Sequence, residues 1–459
     1  MERPAGLGDP RRGAPGDLPL TAANAPRPIT SEEALELILE DVPALGIESV
    51  RLEEADGRAA ARAVVAARAL PGWDNAAKDG YAVRAADLAS PGASLPIAGG
   101  ISAGDPPGAA LPPASTLLIM TGAPVPAGAD AIVPVEDTAG PHGRGRFAEP
   151  GERVTFGASP RPGDHVRLAG ADVVVGEPVL EPGVEVGAGR LALLAAMGEA
   201  AVEVHRRPHV VVIPTGDELV RPGVEPAPGQ LFSSNAPALA ALARRAGAVA
   251  RTVDPVPDDR LLIRAAVFEA LETADVVVTT GGVSAGERDH VRGVIEEAAG
   301  GLVFWRVRMR PGEPLVFART RDLPGVGRVA GRWLFGLPGN PTSALVTFLE
   351  FVRPLLRRLG GFSDVFLPAV RARLAEPVRA EPGRRSFLRV RLDRDDVGGF
   401  VAAPAGPQGS GFLRPFADAQ GLLVCGPDRT DLAAGEAVTV QLLDLPQGPR
   451  EPYPPWTAA

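Results

Sequence analysis

The stretch Asp275-Val276-Val277-Val278-Thr279-Thr280-Gly281-Gly282-Val283-Ser284-Ala285-Gly286-Glu287-Arg288-Asp289 decides how this chain is read. An apolar β-branched run breaks into a Gly-Gly turn, and small and charged residues then lead to an amphipathic segment over residues 291–299, which predicts strand, loop, helix. In open α/β sheets, ligands bind at such carboxyl ends of strands. Thr279, Thr280 and Ser284 offer hydroxyls, Gly281 and Gly282 let a ligand approach the backbone, and the start of the next helix favours an anion. An ordinary glycine-kinked turn would use the same residues, so the neighbouring segments must decide between the two.

Those neighbours alternate. Strands are expected at residues 209–213, 248–253, 303–308 and 333–337, and helices at 231–246, 261–271 and 342–359. Such βαβ alternation implies a parallel sheet covered by helices on both faces. Charged or anion-cradling loops fall at the strand ends: Thr215-Gly216-Asp217-Glu218, Asp254 with Asp258 and Asp259, Asp289, and Leu337-Pro338-Gly339-Asn340-Pro341-Thr342-Ser343. Carboxylates placed there can hold Mg²⁺, which keeps several waters and bridges one or two acids to substrate phosphates. Glu218, Asp258 and Asp289 are the candidates, with Asp254 and Asp259 as second choices. Helix capping competes for the same residues: Asp258 before Leu261 would make a good cap. Asn340-Pro341 would start the long helix, and the same exposed amides would serve an anion.

The flanking regions read differently. Ile29-Thr30-Ser31-Glu32-Glu33 opens a helix in the capping-box manner, with Ala34, Leu35, Ile38 and Leu39 as its apolar stripe. A second amphipathic segment covers about residues 52–67. Trp73-Asp74-Asn75-Ala76-Ala77-Lys78-Asp79-Gly80-Tyr81 then packs two acids, an amide and a lysine into one loop, which a solvated turn closed by Asp79-Gly80 would also explain. Residues 84–149 are short apolar runs punctuated by Pro and Gly, a small β domain with a rigid loop at Thr121-Gly122-Ala123-Pro124. A helix is expected at 188–197. The expected layout is a disordered tail at 1–28, a discontinuous elongated domain of 29–70 and 150–205, and an inserted β domain at 71–149. An α/β domain at 206–362, a C-terminal β domain at 366–445 and a tail at 446–459 follow.

Composition narrows the function. With 459 residues the chain exceeds one core, and about 100 to 200 residues per domain suggests three or four. A net charge of −9 argues against a nucleic-acid partner, because affinity for phosphate backbones comes mainly from clustered Lys and Arg. An anionic substrate must then meet local Arg, helix dipoles or a bridging cation. The single cysteine, Cys425, excludes an intramolecular disulfide framework and a four-thiolate zinc site, and fits a reducing cytoplasm. No apolar run is long enough to span a membrane. Lys78 is the one lysine among 47 Lys and Arg residues.

Five ordered motifs carry a resemblance. Asp74-Asn75-Ala76-Ala77-Lys78-Asp79-Gly80-Tyr81-Ala82-Val83, Met120-Thr121-Gly122-Ala123-Pro124-Val125-Pro126, Thr215-Gly216-Asp217-Glu218-Leu219, Gly281-Gly282-Val283-Ser284 with Gly286 and Asp289, and Leu337-Pro338-Gly339-Asn340-Pro341 resemble the signature set of the molybdopterin molybdenumtransferases, the MoeA and gephyrin E-domain family. The resemblance runs in order from about residue 29 to 445. It implies a multidomain α/β plus β architecture: a doubly wound molybdopterin-binding α/β domain, a discontinuous elongated domain, an inserted β domain and a C-terminal β-barrel-like domain. It also implies a homodimer whose cleft lies between the α/β domain of one subunit and the β insert of the other. The implied substrates are adenylylated molybdopterin and molybdate, with molybdenum inserted and AMP released. In that scheme Glu218, Asp258 and Asp289 position Mg²⁺ and the pyrophosphate. Lys78, Thr215, Gly216, Gly281, Gly282, Ser284, Pro338, Gly339, Asn340, Pro341 and Ser343 bind the substrate, and Asp79 with Thr121 completes the cleft. The molybdopterin adenylyltransferase and apo-molybdoenzymes are implied protein contacts.

One departure bears on the chemistry. Where the family carries Lys-Pro-Gly-Lys-Pro, this chain has Arg310-Pro311-Gly312-Glu313-Pro314. Arg310 and Pro314 keep the expected molybdate contact, and Arg385, Arg389 and Ser410 resemble the remaining ones. Glu313 reverses a charge, and a carboxylate beside a dianion is repulsive unless an arginine pairs with it. A molybdopterin-binding paralogue or carrier that inserts no metal is the alternative this residue raises. A third reading, the adenylyl-transferring enzyme that shares the α/β domain, is disfavoured by the four-domain length and by Gly281-Gly282-Val283-Ser284.

Overall fold

A computed structural model of the chain describes residues 27–283, 290–320, 331–396 and 398–443. Ser284, Gly286 and Asp289 of the opening stretch lie outside the described residues. The chain forms two compact units. One comprises Gly46–Arg206 with Gly361–Ser363, and the other comprises the chain up to Leu45, Arg207–Gly360 and the chain from Asp364 onward.

In the second unit the opening stretch is the central strand Val276–Thr280 of a six-stranded sheet. From edge to edge the order is Val249–Thr252, His209–Pro214, Val276–Thr280, Trp333–Leu337, Val316–Arg319 and Phe304–Trp305. The first four run parallel. Pro214 lies opposite Thr280, and Thr280 opposite Leu337, so three carboxyl ends finish level. Side chains alternate along each strand. Val210, Val212, Val276, Val278 and Phe335 therefore pack on one face with helix Asn235–Arg245 and the long C-terminal helix. Val211, Ile213, Val277 and Leu334 pack on the other with helices Arg260–Thr273 and His290–Ala299. Coverage on both faces is why the strands are continuous apolar runs rather than alternating ones. Each buried valine contributes about 1.5 kcal/mol.

The purely parallel sheet expected from the alternation is a mixed one. Val316–Arg319 runs antiparallel to Trp333–Leu337, and the expected strand at 303–308 shrinks to Phe304–Trp305 on the edge beyond it. The opening helix Ser31–Leu39 has its capping box: Glu33 N–H donates to Thr30 Oγ1 at 3.1 Å and Thr30 N–H to Glu33 Oε2 at 2.7 Å. Its Ala34 and Ile38 belong to the α/β core, although the sequence reading groups residues 29–70 with the elongated domain. The long helix at 341–359 contains a π-helical turn, Phe348–Val352, between Pro341–Thr347 and Arg353–Leu359.

Beyond it, the strands Ala369–Leu374, Arg385–Arg394, Phe400–Pro404, Gly421–Cys425 and Ala437–Leu442 close into a barrel, because Gly421–Cys425 pairs back onto Arg385–Arg394. Met309–Arg310 adds to the barrel's rim in parallel with Arg385 and Ser386.

In the other unit, Ile47–Arg51 pairs antiparallel with Ala201–His205, which brings its two ends together. A seven-stranded sheet runs from Gly143–Arg144 to Ala131–Pro134, with Gly80–Val83 beside Thr116–Ile119. The amphipathic segment at 52–67 is not a helix. It forms a 3₁₀ turn, Leu52–Glu54, and the short strands Arg58–Ala59 and Val64–Val65, with Gly57 at φ +68° breaking any helical continuation.

Candidate functional site

At the level carboxyl ends of the parallel strands lies a cavity of about 570 Å³. Its floor is the Gly-Gly turn. Gly281 and Gly282 have φ of +104° and +60°. A Cβ on Gly281 would run into the Thr215 carbonyl, and one on Gly282 would stand 2.6 Å from Val291 Cγ2. Both glycines are therefore required by backbone conformation and by close packing. Three loops form one wall. Thr215 N–H donates to Thr280 O at 3.0 Å, and Gly281 N–H to Leu337 O at 3.1 Å. Asn235 Nδ2 donates to Thr280 Oγ1 and to Gly339 O, each at 2.8 Å, and Thr280 Oγ1 donates to Pro338 O at 3.1 Å.

Thr215, Gly216, Glu218, Asp258, Gly281, Gly282, Arg310, Pro314, Pro338, Gly339, Asn340, Pro341, Ser343 and Ser410 all line this cavity. Ser410 reaches it because the barrel loop docks on the helix start: Thr342 N–H donates to Ser410 O at 3.1 Å and Thr342 Oγ1 to Phe412 O at 2.9 Å. Thr215 Oγ1 and Ser233 Oγ are buried, line the cavity and have no partner among the described residues. Buried hydroxyls are normally satisfied, so these two are polar atoms at the cavity wall that the described residues leave unpaired.

Asp258 and Asp259 separate cleanly. Asp259 caps helix Arg260–Thr273, accepting from Leu261 and Leu262 N–H at 2.8 and 3.0 Å. Asp258, the metal candidate for which capping was the competing reading, lines the cavity, its own N–H donating to Asp217 Oδ1 at 3.0 Å. Asp254 stands 4.0 Å from Arg221. Among the described residues no three His, Cys, Asp or Glu side chains group into a metal cage. Glu218 and Asp258 remain as two hard oxygen donors on the cavity wall, which suits a Mg²⁺ ion completed by waters and phosphate oxygens.

Two of the expected arginine contacts lie away from the cavity. Neither Arg385 nor Arg389 lines the cavity. Arg385 pairs with Glu32 of the opening helix. Arg389 is fully buried on the strand face opposite the barrel-core residues Leu388 and Val390, and burial lowers its guanidinium to about 10. Its Nη2 donates to Pro407 O at 2.9 Å and Gly409 O at 3.1 Å, so it positions the loop that presents Ser410. Arg385 and Arg389 share a face of strand Arg385–Arg394, so position along the strand rather than alternation separates them, and the arginine-rich sequence conceals it. Arg384, just before the strand, is the arginine that faces the cavity, and it pairs with Glu313. Ser233 and Asn235 also line the cavity, and the Ser233-Ser234-Asn235 run before an amphipathic helix is the sequence signal for them.

Lys78, Asp79 and Thr121 belong to the other unit. Asp79 Oδ1 accepts from Thr121 Oγ1 at 2.7 Å and from Thr121 N–H at 2.6 Å, and these bonds hold its carboxyl below the usual range.

Comparison with known proteins matches the chain in three segments. Residues 29–198 match the MoeA N-terminal region (domain I and II), 211–358 a probable molybdopterin binding domain, and 371–443 the MoeA C-terminal region (domain IV). Molybdopterin molybdenumtransferase 2 of Mycobacterium tuberculosis is 40% identical over 420 residues, spanning 89% of this chain and 98% of that protein. The chain belongs to the molybdopterin molybdenumtransferase family. The Haemophilus influenzae molybdopterin molybdenumtransferase is 34% identical over 415 residues, covering 90% of this chain and 98% of its own length. The crystal structure of a molybdopterin biosynthesis MoeA protein from Pyrococcus horikoshii has a TM-score of 0.71 at 33% identity, covering 91% of this chain and 99% of that one. Members of this molybdopterin molybdenumtransferase family are transferases of molybdenum cofactor biosynthesis, and the multidomain architecture described above is theirs. The cavity draws its walls from the segment matching a molybdopterin binding domain, closed by Arg384 and Ser410 from the segment matching the MoeA C-terminal region.

Proposed function

We propose that this chain inserts molybdate into adenylylated molybdopterin in a Mg²⁺-dependent reaction that releases AMP. One observation carries the reading: two carboxylates, two glycines and two unpartnered buried hydroxyls converge on one cavity at a parallel sheet's carboxyl edge. Gly281 and Gly282 bring the backbone against the substrate, and the Thr215 and Ser233 hydroxyls donate to its oxygens. Asn235 holds the Gly-Gly turn and the Pro338 to Pro341 loop at one spacing. Glu218 and Asp258 would hold Mg²⁺, with Asp289 as a further ligand, and the bound cation supplies positive charge to the phosphate oxygens on which charge builds. Arg310, Pro314 and Ser410 receive the oxyanion, with Arg384 in the place first given to Arg385 and Arg389. Ser284 joins the substrate-binding set.

The working form is a homodimer in which the partner's insert brings Lys78, Asp79 and Thr121 to the cleft. The setting is the cytoplasm, supported by the buried free thiol of Cys425 and by the lack, among described residues, of any helix long and apolar enough to cross a membrane. There the molybdopterin adenylyltransferase would supply the substrate and apo-molybdoenzymes would receive the product.

The test mixes purified protein with adenylylated molybdopterin, Mg²⁺ and molybdate. AMP release and reconstitution of an apo-molybdoenzyme should both rise above a protein-free blank, and a failure of both refutes the activity. Pairing of Arg384 with Glu313, which neutralises a cavity cation, favours the carrier as the second reading. AMP release without reconstitution would support the carrier.

A further inference from the structure

Among the described residues that line the cavity, the cationic side chains are Arg310 and Arg384. Each already has a carboxylate. Arg310 Nε lies 3.4 Å from Glu381 Oε1, and Glu381 is not part of the cavity lining. Arg384 Nη1 donates to Glu313 Oε2, and that carboxylate does line the cavity. The two ends of this pair differ in freedom. The Glu313 carbonyl accepts from Val307 N–H and from Leu315 N–H, each at 2.9 Å, which pins its backbone. Arg384 carries a long side chain that is 38% exposed, so its guanidinium can turn. Carboxylates and tetrahedral oxyanions compete for the same planar donor fork.

We infer that Glu313 is an internal counter-ion, displaced from Arg384 by an incoming tetrahedral dianion, so that this carboxylate sets both the affinity and the charge selectivity of the cavity's oxyanion end. A monoanion gains nothing by replacing a carboxylate, whereas a dianion does. The inference rests on the proposed oxyanion role of this end of the cavity. Glu313 acts through Arg384 and is a positioning residue rather than a catalytic one.

The measurement is isothermal titration of the full-length protein and its Glu313→Gln variant with sodium molybdate and, separately, with inorganic phosphate. Removing one negative charge a few ångströms from a dianion in a half-exposed site should lower Kd by about tenfold. The gain should shrink at about 0.5 M salt, where screening reaches only a few ångströms. Tightening for molybdate alone identifies the free metal oxyanion as the displacing ion. Tightening for phosphate identifies a phosphate group of the substrate, and either outcome supports the inference. Unchanged or weaker binding of both ions overturns it, since loss of a merely structural contact would not tighten binding. A crystal of the wild-type protein with molybdate should show Arg384 on the oxyanion and released from Glu313; an intact pair beside the bound ion would also overturn the inference. Tightened binding together with failed molybdenum insertion would sink the proposed activity and leave the counter-ion role standing. The reverse result would do the opposite.

Discussion

Glu350 offers a direct test of how the barrel and the α/β core are joined. It lies in the π-helical turn Phe348–Val352, is 9% exposed, and its Oε2 accepts from Gln441 Nε2 at 3.2 Å. Gln441 belongs to the barrel strand Ala437–Leu442. Burial raises the Glu350 carboxyl from 4.5 to about 7, against the lowering effects of the Gln441 bond and of Arg385 and Arg353. Because the folded value is the higher one, the stabilising protonated form is fully present below pH 4.5 in both states. Its contribution is lost as pH rises through about 7, since the unfolded chain releases the proton first. A difference of roughly 2.5 units at 1.36 kcal/mol each gives about 3 kcal/mol. Glu350→Gln keeps an acceptor for Gln441 and removes the titration. Its stability relative to wild type should therefore improve by about 3 kcal/mol between about pH 4.5 and 8. Urea unfolding followed through Trp305 and Trp333, both in the α/β core, reads this difference. Parallel pH profiles for the two proteins would refute the reasoning.

Asp258→Asn should raise the Mg²⁺ concentration needed for AMP release by about tenfold, because a hard cation loses a charged ligand. Asp259→Ala should instead cost about 1 kcal/mol of stability through the lost helix cap and leave the Mg²⁺ midpoint unmoved. Identical metal titrations for wild type and Asp258→Asn would remove Asp258 from the metal site. Asn235→Ala strips two hydrogen bonds from the cavity wall and should destabilise it by about 1–3 kcal/mol. Amide exchange at Gly281 and Gly339 should accelerate, and unchanged protection there would show that the loops hold without Asn235.

Much of this molecule can be read from local chemistry. The valine run and Gly281-Gly282 specify a two-face-buried strand ending in a turn that only glycine fits, and the alternation around them specifies the βαβ core, because burial and backbone strain are set by residue type. The motif loops at Thr215, Gly281 and Pro338 could be placed at strand ends for the same reason. Their convergence depends on register, which aligns Pro214, Thr280 and Leu337 at one edge. Tertiary structure alone decided the antiparallel edge of the sheet and the choice of Asp259 over Asp258 as the helix cap. It also decided which of three neighbouring arginines meets the cavity: Arg389 holds the Pro407 to Gly409 loop, Arg385 pairs with Glu32, and Arg384, just before the strand, reaches Glu313. Those outcomes depend on contacts between residues far apart in the chain, a distance that composition and periodicity do not record.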